Sequence, residues 1–149
     1  MMIVQINESH INEILRLENQ IYTRPWSKNH FLLEIADSAN SINIACIAEK
    51  GDVISYIFGK CQAGNYHLTN IAVHPDFRRK KVASKMLDYL FGKLDDLNVK
   101  SIFLAIKNEN EPARKLFLSK QFYEQNRDKN YYTKNDEAVV LTLELKPNG

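Results

Sequence analysis

The chain has 149 residues, 44% of them hydrophobic and 26% charged, with a net charge of +2 at neutral pH. That length suits a single domain spanning 1–149 with a substantial core, and so small a net charge gives no argument for nucleic acid as a direct partner. Two cysteines, Cys46 and Cys61, are too few for a disulfide scaffold and lack a metal-ligand spacing, so both are read as reduced thiols and no metal is expected. No N-terminal apolar run resembles a signal peptide and none is long enough to span a bilayer, so a cytoplasmic location without a membrane partner is expected.

Met2 to Ile6 reads as a first strand. Asn7 or Ser9 can cap a helix that carries Ile11, Ile14, Leu15 and Leu17 on one side. Tyr22 to Ser27 (YTRPWS) ends it, because Pro25 cannot sit inside a helix. Ser27 is a good N-cap for a second helix through Phe31, Leu32 and Ile35, with Trp26 stapling its start or lining a substrate groove. Ile42 to Ala48 and Val53 to Gly59 read as strands joined by a hairpin turn at Glu49 to Asp52. A second turn, Gln62 to Asn65, leads to a short apolar strand, Leu68 to Val73.

The stretch that follows carries the chemistry. His74 to Phe77 contains Pro75 and Asp76 and is a turn. From about Arg79 the apolar residues Val82, Ala83, Met86, Leu87, Leu90 and Leu94 follow helix spacing. Four cations, Arg78, Arg79, Lys80 and Lys81, sit at the junction. A strand, a basic turn and a helix N-terminus make an anion site, because free N–H groups, the helix dipole and basic side chains all favour negative charge. Ser101 to Ile106 is a further buried strand. Asn110 and Pro112 then begin a helix carrying Ala113, Leu116 and Phe117. Gln121 to Gln125 and Ala138 to Leu145 read as the last strands, around a polar loop that holds Tyr131 and Tyr132. The order is β-α-α-β-β-β-α-β-α-β-β, an α/β sheet with helices on both faces.

This order resembles the GNAT acyltransferase superfamily over nearly the whole chain. Three local matches, Pro25 to Ser27 (PWS), Asn70 to Phe77 (NIAVHPDF) and Asn130 to Tyr132 (NYY), resemble its ribosomal-protein-alanine N-acetyltransferase (RimI-type) branch. The resemblance implies a mixed, mostly antiparallel sheet whose fourth and fifth strands splay apart to admit acetyl-CoA. It implies direct transfer of acetyl to a protein or peptide N-terminal amine, a ribosomal protein among the expected partners, by a monomer or homodimer without metal. Carried over by position, the backbone of Ile71, Ala72 and Val73 faces the pantetheine and the acetyl carbonyl. Arg78, Arg79, Lys80, Lys81, Val82, Ala83 and Ser84 surround the pyrophosphate. Asn110 and Phe117 lie against the cofactor, and Tyr131 and Tyr132 border the peptide groove, where either can serve as acid or amine positioner.

Two departures from the resembled pattern stand out. Lys81 replaces the first loop glycine; if that position needs a positive φ, its Cβ costs about 1–2 kcal/mol. Ala105 and Phe117 stand where the branch carries its glutamate base and tyrosine acid, and neither exchanges a proton. His67 is the candidate substitute, because alternation puts 67, 69 and 71 on one face and imidazole titrates near neutral pH. A histidine merely hydrogen-bonded at a strand end is the equal alternative. The functional expectations are therefore an active N-terminal acetyltransferase, a CoA-binding protein of the same fold with weak or lost chemistry, or an enzyme acting on a small-molecule amine.

Overall fold

A computed structural model of the chain describes residues 1–125 and 138–145. Seven strands, β1 (Met2–Gln5), β2 (Ile44–Ile47), β3 (Val53–Gln62), β4 (Asn65–Val73), β5 (Ser101–Lys107), β6 (Tyr123–Glu124) and β7 (Ala138–Glu144), form one sheet. Four helices join them: α1 (Ile11–Ile21), α2 (Lys28–Ala36), α3 (Val82–Asp96) and α4 (Glu111–Ser119). Among the described residues the strand order is β1-β2-β3-β4-β5-β7-β6, and only the β4–β5 neighbours run parallel. Among the described residues no helix is long and apolar enough to cross a membrane.

Each helix starts where the local chemistry requires. Asn7, not Ser9, opens the first: its Oδ1 accepts from Ser9 N at 2.9 Å, and His10 Nδ1 accepts from Asn7 N at 3.0 Å. That reciprocal cap closes a 3-10 turn over Glu8–His10, and α1 follows it. Ser27 caps α2 through His30 N at 3.1 Å. Trp26, just before that cap, stacks on His30 at 3.9 Å and leans on Phe31 at 5.2 Å, a hydrophobic staple that fixes the angle at which α2 begins. Asn110 caps α4 through Ala113 N at 3.2 Å.

The helices cover both faces, each over its own apolar cluster. On one face α1 and α2 bury Ile11, Ile14, Leu17 and Phe31 against Tyr56, Phe58 and Ala72. On the other, α3 buries Met86, Leu87, Leu90 and Leu94 against Tyr66, Leu68, Ile102 and Leu104, with Phe117 of α4 joining them. A strand between two helical layers is apolar on both sides, which is why β3 reads as a continuous hydrophobic run.

Several boundaries differ from the hydrophobic pattern. The turn before β4 is only Ala63 and Gly64, with φ of 53° and 82°, so the strand begins at Asn65 rather than Leu68. Positive φ at both central residues is what a two-residue hairpin needs. The third helix begins at Val82 rather than near Arg79, because Arg79 and Lys81 are both left-handed, at φ 64° and 61°. The strand expected over 121–125 shrinks to Tyr123–Glu124.

One irregularity positions the site. Phe58 pairs with Asn70, but Gly59 pairs with Leu68, so one step along β3 matches two along β4. Thr69 is therefore an extra residue, a β-bulge that bends β4 and resets its alternation. Leu68 and Tyr66 face α3, whereas Asn70 and Ala72 belong to the α1/α2 side. The expectation that 67, 69 and 71 share a face is thereby corrected: His67 and Ile71 fall on opposite faces.

Candidate active site

The parallel pairing of β4 with β5 covers three residue pairs, Asn65–Ser101, Tyr66–Ile102 and His67–Phe103, and then stops. The bulge at Thr69 follows immediately, and the two strands part. A cavity of about 430 Å³ opens between them. Leu68 to Ile71 form one wall, Leu104 to Lys107 the other, with Asn110, Ala113 and Phe117 of α4 on one side. Glu18, Tyr22, Arg24 and Trp26, from the end of α1 and the segment before α2, close it on the other.

Beyond His67, β4 is an edge. The carbonyl of Ile71 accepts from the Tyr22 hydroxyl and that of Val73 accepts from Arg78 Nε at 3.2 Å, so both point away from β3. In an extended residue N–H and C=O lie on the same side, so the N–H groups of Ile71 and Val73 also face the gap that β5 has left. These are fixed donors at the place where an acyl carbonyl would need them.

A second cavity, of about 310 Å³, continues from Val73. It is lined by Phe77, Arg78, Arg79, Lys81, Val82, Ala83, Ser84 and Leu116. The first intrahelical bond of α3 runs from Lys85 N to Lys81 O at 3.0 Å, which leaves the amides of Val82, Ala83 and Ser84 without a helical acceptor. Lys81 is the N-cap and makes no side-chain cap, so its own side chain leaves those amides open. Lys80 folds over the Phe77 ring at 5.3 Å. Free amides, a helix dipole, two left-handed residues and four cations together fit a diphosphate. Lys81 does sit at positive φ, so the backbone conformation usually left to glycine is held here by a cation.

The remaining residues singled out from sequence separate cleanly. Asn110 lines the gap at the start of α4, as expected, although its Oδ1 is engaged in the cap. Phe117 is only 1% exposed and packs edge-on against Phe122, so it meets the cavity from beneath. Ala105 is exposed on β5 and lines the gap. His67 stands beside β5 on the same face as Phe103, on which it stacks at 4.4 Å, and Ala105 is the next residue on that face. His67 lies at the base of the gap rather than within its lining. Among the described residues neither of its ring nitrogens has a hydrogen-bond partner, and partial burial lowers its pKa from the ordinary histidine value, favouring neutral imidazole. Tyr131 and Tyr132 lie outside the described residues.

Three gap residues, Glu18, Asn70 and Tyr22, were not anticipated, whereas Trp26, read as a staple or a groove residue, does both. Glu18 is 1% exposed and accepts from Tyr56 OH at 2.5 Å, Asn70 Nδ2 at 2.8 Å and Trp26 N at 2.8 Å. It ties α1, β3, β4 and the segment before α2 into one corner. Asn70 and Trp26 belong to that network, and Tyr22 reaches over it to β4. The available signal was Glu18 itself: with Ile11 and Ile14 it follows helix spacing, a carboxylate inside an apolar stripe. A larger open cavity of about 710 Å³ lies away from the splay, between α1, the β2–β3 turn and the Pro75–Phe77 turn. Its charged lining is mixed in sign and it touches neither the β4 edge amides nor the free amides of α3.

Comparison with known proteins agrees with this geometry. The chain is 28% identical over 148 residues to a ribosomal protein bS18-alanine N-acetyltransferase of Haemophilus ducreyi, covering 97% of this chain and all of the relative. Its fold superposes on the ribosomal-protein-S18-alanine N-acetyltransferase from Escherichia coli with a TM-score of 0.87 at 22% identity, over 99% of this chain and 96% of the other. It also matches a PaiA N-acetyltransferase from Thermoplasma acidophilum in complex with coenzyme A, with a TM-score of 0.81 at 14% identity, covering 97% and 99% of the two chains. The profile of the acetyltransferase (GNAT) family matches residues 11–122. With the splayed strands, the open β4 edge and the anion cradle in one line, the chain belongs to the acetyltransferase (GNAT) family.

Proposed function

We propose that the protein is an acetyl-CoA-dependent N-acetyltransferase that acts on the N-terminal amine of a protein, an N-terminal alanine foremost. One observation carries this reading: the gap after His67 exposes the Ile71 and Val73 amides of β4 at one end of a path whose other end is the basic cradle of α3. The similarity to bS18-alanine N-acetyltransferases over nearly the whole chain supports the choice of acceptor.

When bound, acetyl-CoA supplies a thioester as the acyl donor. The residues of this chain do the rest. Arg78 to Lys81 and the amides of Val82 to Ser84 hold the diphosphate. The N–H groups of Ile71 and Val73 stabilise the negative charge that grows on the acyl oxygen during attack, an electrostatic contribution worth about 10²–10³-fold per donor. The Glu18 corner sets the wall against which the acceptor amine enters. His67 takes the amine proton through water: neutral imidazole near pH 7 is a base, and it shares a face of the sheet with Ala105, whose own side chain can take no proton. Most of the rate then comes from placing amine and thioester together.

The replacement of the branch's acid and base by Ala105 and Phe117 favours one competing reading, a CoA-binding protein with weak or lost chemistry. Mass spectrometry separates the two. The protein is mixed with acetyl-CoA and short peptides that begin with alanine, the same peptides with blocked N-termini, or small amines. Acetylation of the free-alanine peptides alone is the expected result. Calorimetric binding of coenzyme A without transfer to any amine would support the competing reading instead.

A further inference from the structure

Nothing in the mechanism so far returns a proton to the departing sulfur, and Phe117 has no hydroxyl to give. Tyr22 brings one to the gap from the opposite wall. It is the C-cap of α1, its own N–H bonded to Glu18 O at 2.9 Å, so the chain leaves the helix with the ring directed across the cavity. Its hydroxyl donates to the carbonyl of Ile71, on the open edge of β4. The amide of that same residue is one of the two donors placed to meet the acyl oxygen.

Resting on the acetyltransferase reading above, we propose that Tyr22 is the general acid of the reaction. A turn of the hydroxyl about its C–O bond redirects its proton from Ile71 to the sulfur. As the amine nitrogen bonds to the acyl carbon and the C–S bond breaks, Tyr22 hands its proton to the thiolate, giving free thiol. The proton released by the nitrogen, carried through water and His67, restores the phenol, so the products are the amide and the thiol with no net gain or loss of protons.

The charges around Tyr22 suit this role. Burial, then the nearby Glu18 carboxylate, push the phenol above its ordinary value, while Arg78 pulls it back in part. Among the described residues, Arg24 and Lys107 are the other charged side chains lining the gap. The net direction keeps the phenol protonated throughout the neutral range, as a proton donor must be.

Tyr22→Phe keeps the ring and removes the proton. It is expected to lower kcat about 10²-fold with KM for both substrates changed less than about threefold, the signature of an interaction made only in the transition state. Calorimetric affinity for coenzyme A should stay at the wild-type value, and thermal unfolding reports whether the variant is folded. In parallel, 3-fluorotyrosine at position 22 makes the phenol more acidic. The alkaline limb of kcat should move down with it and coincide with the ionisation read from the fluorine resonance of that residue. A Tyr22→Phe enzyme within about twofold of wild-type kcat, or one whose loss lies wholly in KM, overturns the assignment. So does an alkaline limb that ignores the fluorine titration. A wild-type chain that acetylates no amine overturns the acetyltransferase reading and this proposal together, whereas an active wild type with an unimpaired variant overturns this proposal alone.

Discussion

At the scale of single residues, Glu18 and His67 show how differently two polar groups near one gap can be used. Glu18 is spent on structure: three donors from three parts of the chain converge on it, and no cation lies among them. Among the described residues no partner meets the nitrogens of His67, whose ring stacks on Phe103. Its pKa falls on folding because partial burial disfavours the charged form. The unfolded chain therefore takes up a proton first as pH drops below about 6.5, and stability declines from there until the folded histidine is protonated as well. With His67 as the proposed base, activity should decline at the lower end of that interval, where the folded histidine itself takes up its proton. The expected result for His67→Asn is a kcat reduced at pH 7 and an acid limb that is absent, with less acid destabilisation in pH-dependent urea melts. A variant with the wild-type acid limb would show that another group titrates. Lys81 was legible in the sequence by type and position; His67 was legible by type, but the bulge at Thr69 sets it on the face opposite Ile71, at the base of the gap. Glu18 was not, because the periodicity of that helix rests on its apolar residues, and nothing local shows the three distant donors that converge on a carboxylate at the same spacing.

At the scale of elements, the site is made by a change of register. The bulge at Thr69 ends the β4–β5 ladder and turns the β4 edge to the gap. No residue type marks it: Thr69 is an ordinary strand residue, and strict alternation through 67, 69 and 71 was the natural reading. The clue lay across the sheet in Gly59. A Cβ there would stand 2.2 Å from Cζ of Tyr66, a fully buried ring whose hydroxyl donates to Ile42 O at 2.8 Å. Gly59→Ala should therefore cost about 1–3 kcal/mol, the range for overpacking a filled core, measured by denaturant unfolding. Because β3 would have to move away from β4 beside the bulge, peptide acetylation should fall further than stability alone explains. The caps at Ser27 and Asn110 and the Trp26 staple, by contrast, are local signals, and the structure carries each where the sequence placed it.

At the scale of the whole molecule, the sheet divides two helical layers with separate duties. The α3/α4 layer carries the cradle, and the α1/α2 layer carries the corner built on Glu18 and Tyr22. The family and the order of elements were legible because hydrophobic spacing and capping are short-range properties of sequence. The division of labour was not, since it depends on which strand edges separate. Charge is distributed unevenly over this frame: the four cations of Arg78 to Lys81 exceed the net charge of +2, so the rest of the chain is slightly negative. Coenzyme A affinity should accordingly fall about tenfold between 0.1 and 1 M salt, as the screening length shortens from about 10 to about 3 Å. Lys81→Gly relieves a left-handed side chain but removes a charge. It should leave thermal stability equal or slightly higher, while weakening binding at low salt and flattening its salt dependence in calorimetry.

The left-handed lysine at the mouth of α3 has a wider effect. A pocket made of bare backbone selects by shape, and only a snug guest gains from it. One that leans on ammonium and guanidinium groups admits many guests, so the proposed cradle is expected to take free nucleotides and other soluble polyanions as well. With the proposed cradle in use, added inorganic diphosphate or free nucleotide should slow acetyl transfer by competing with the acyl donor.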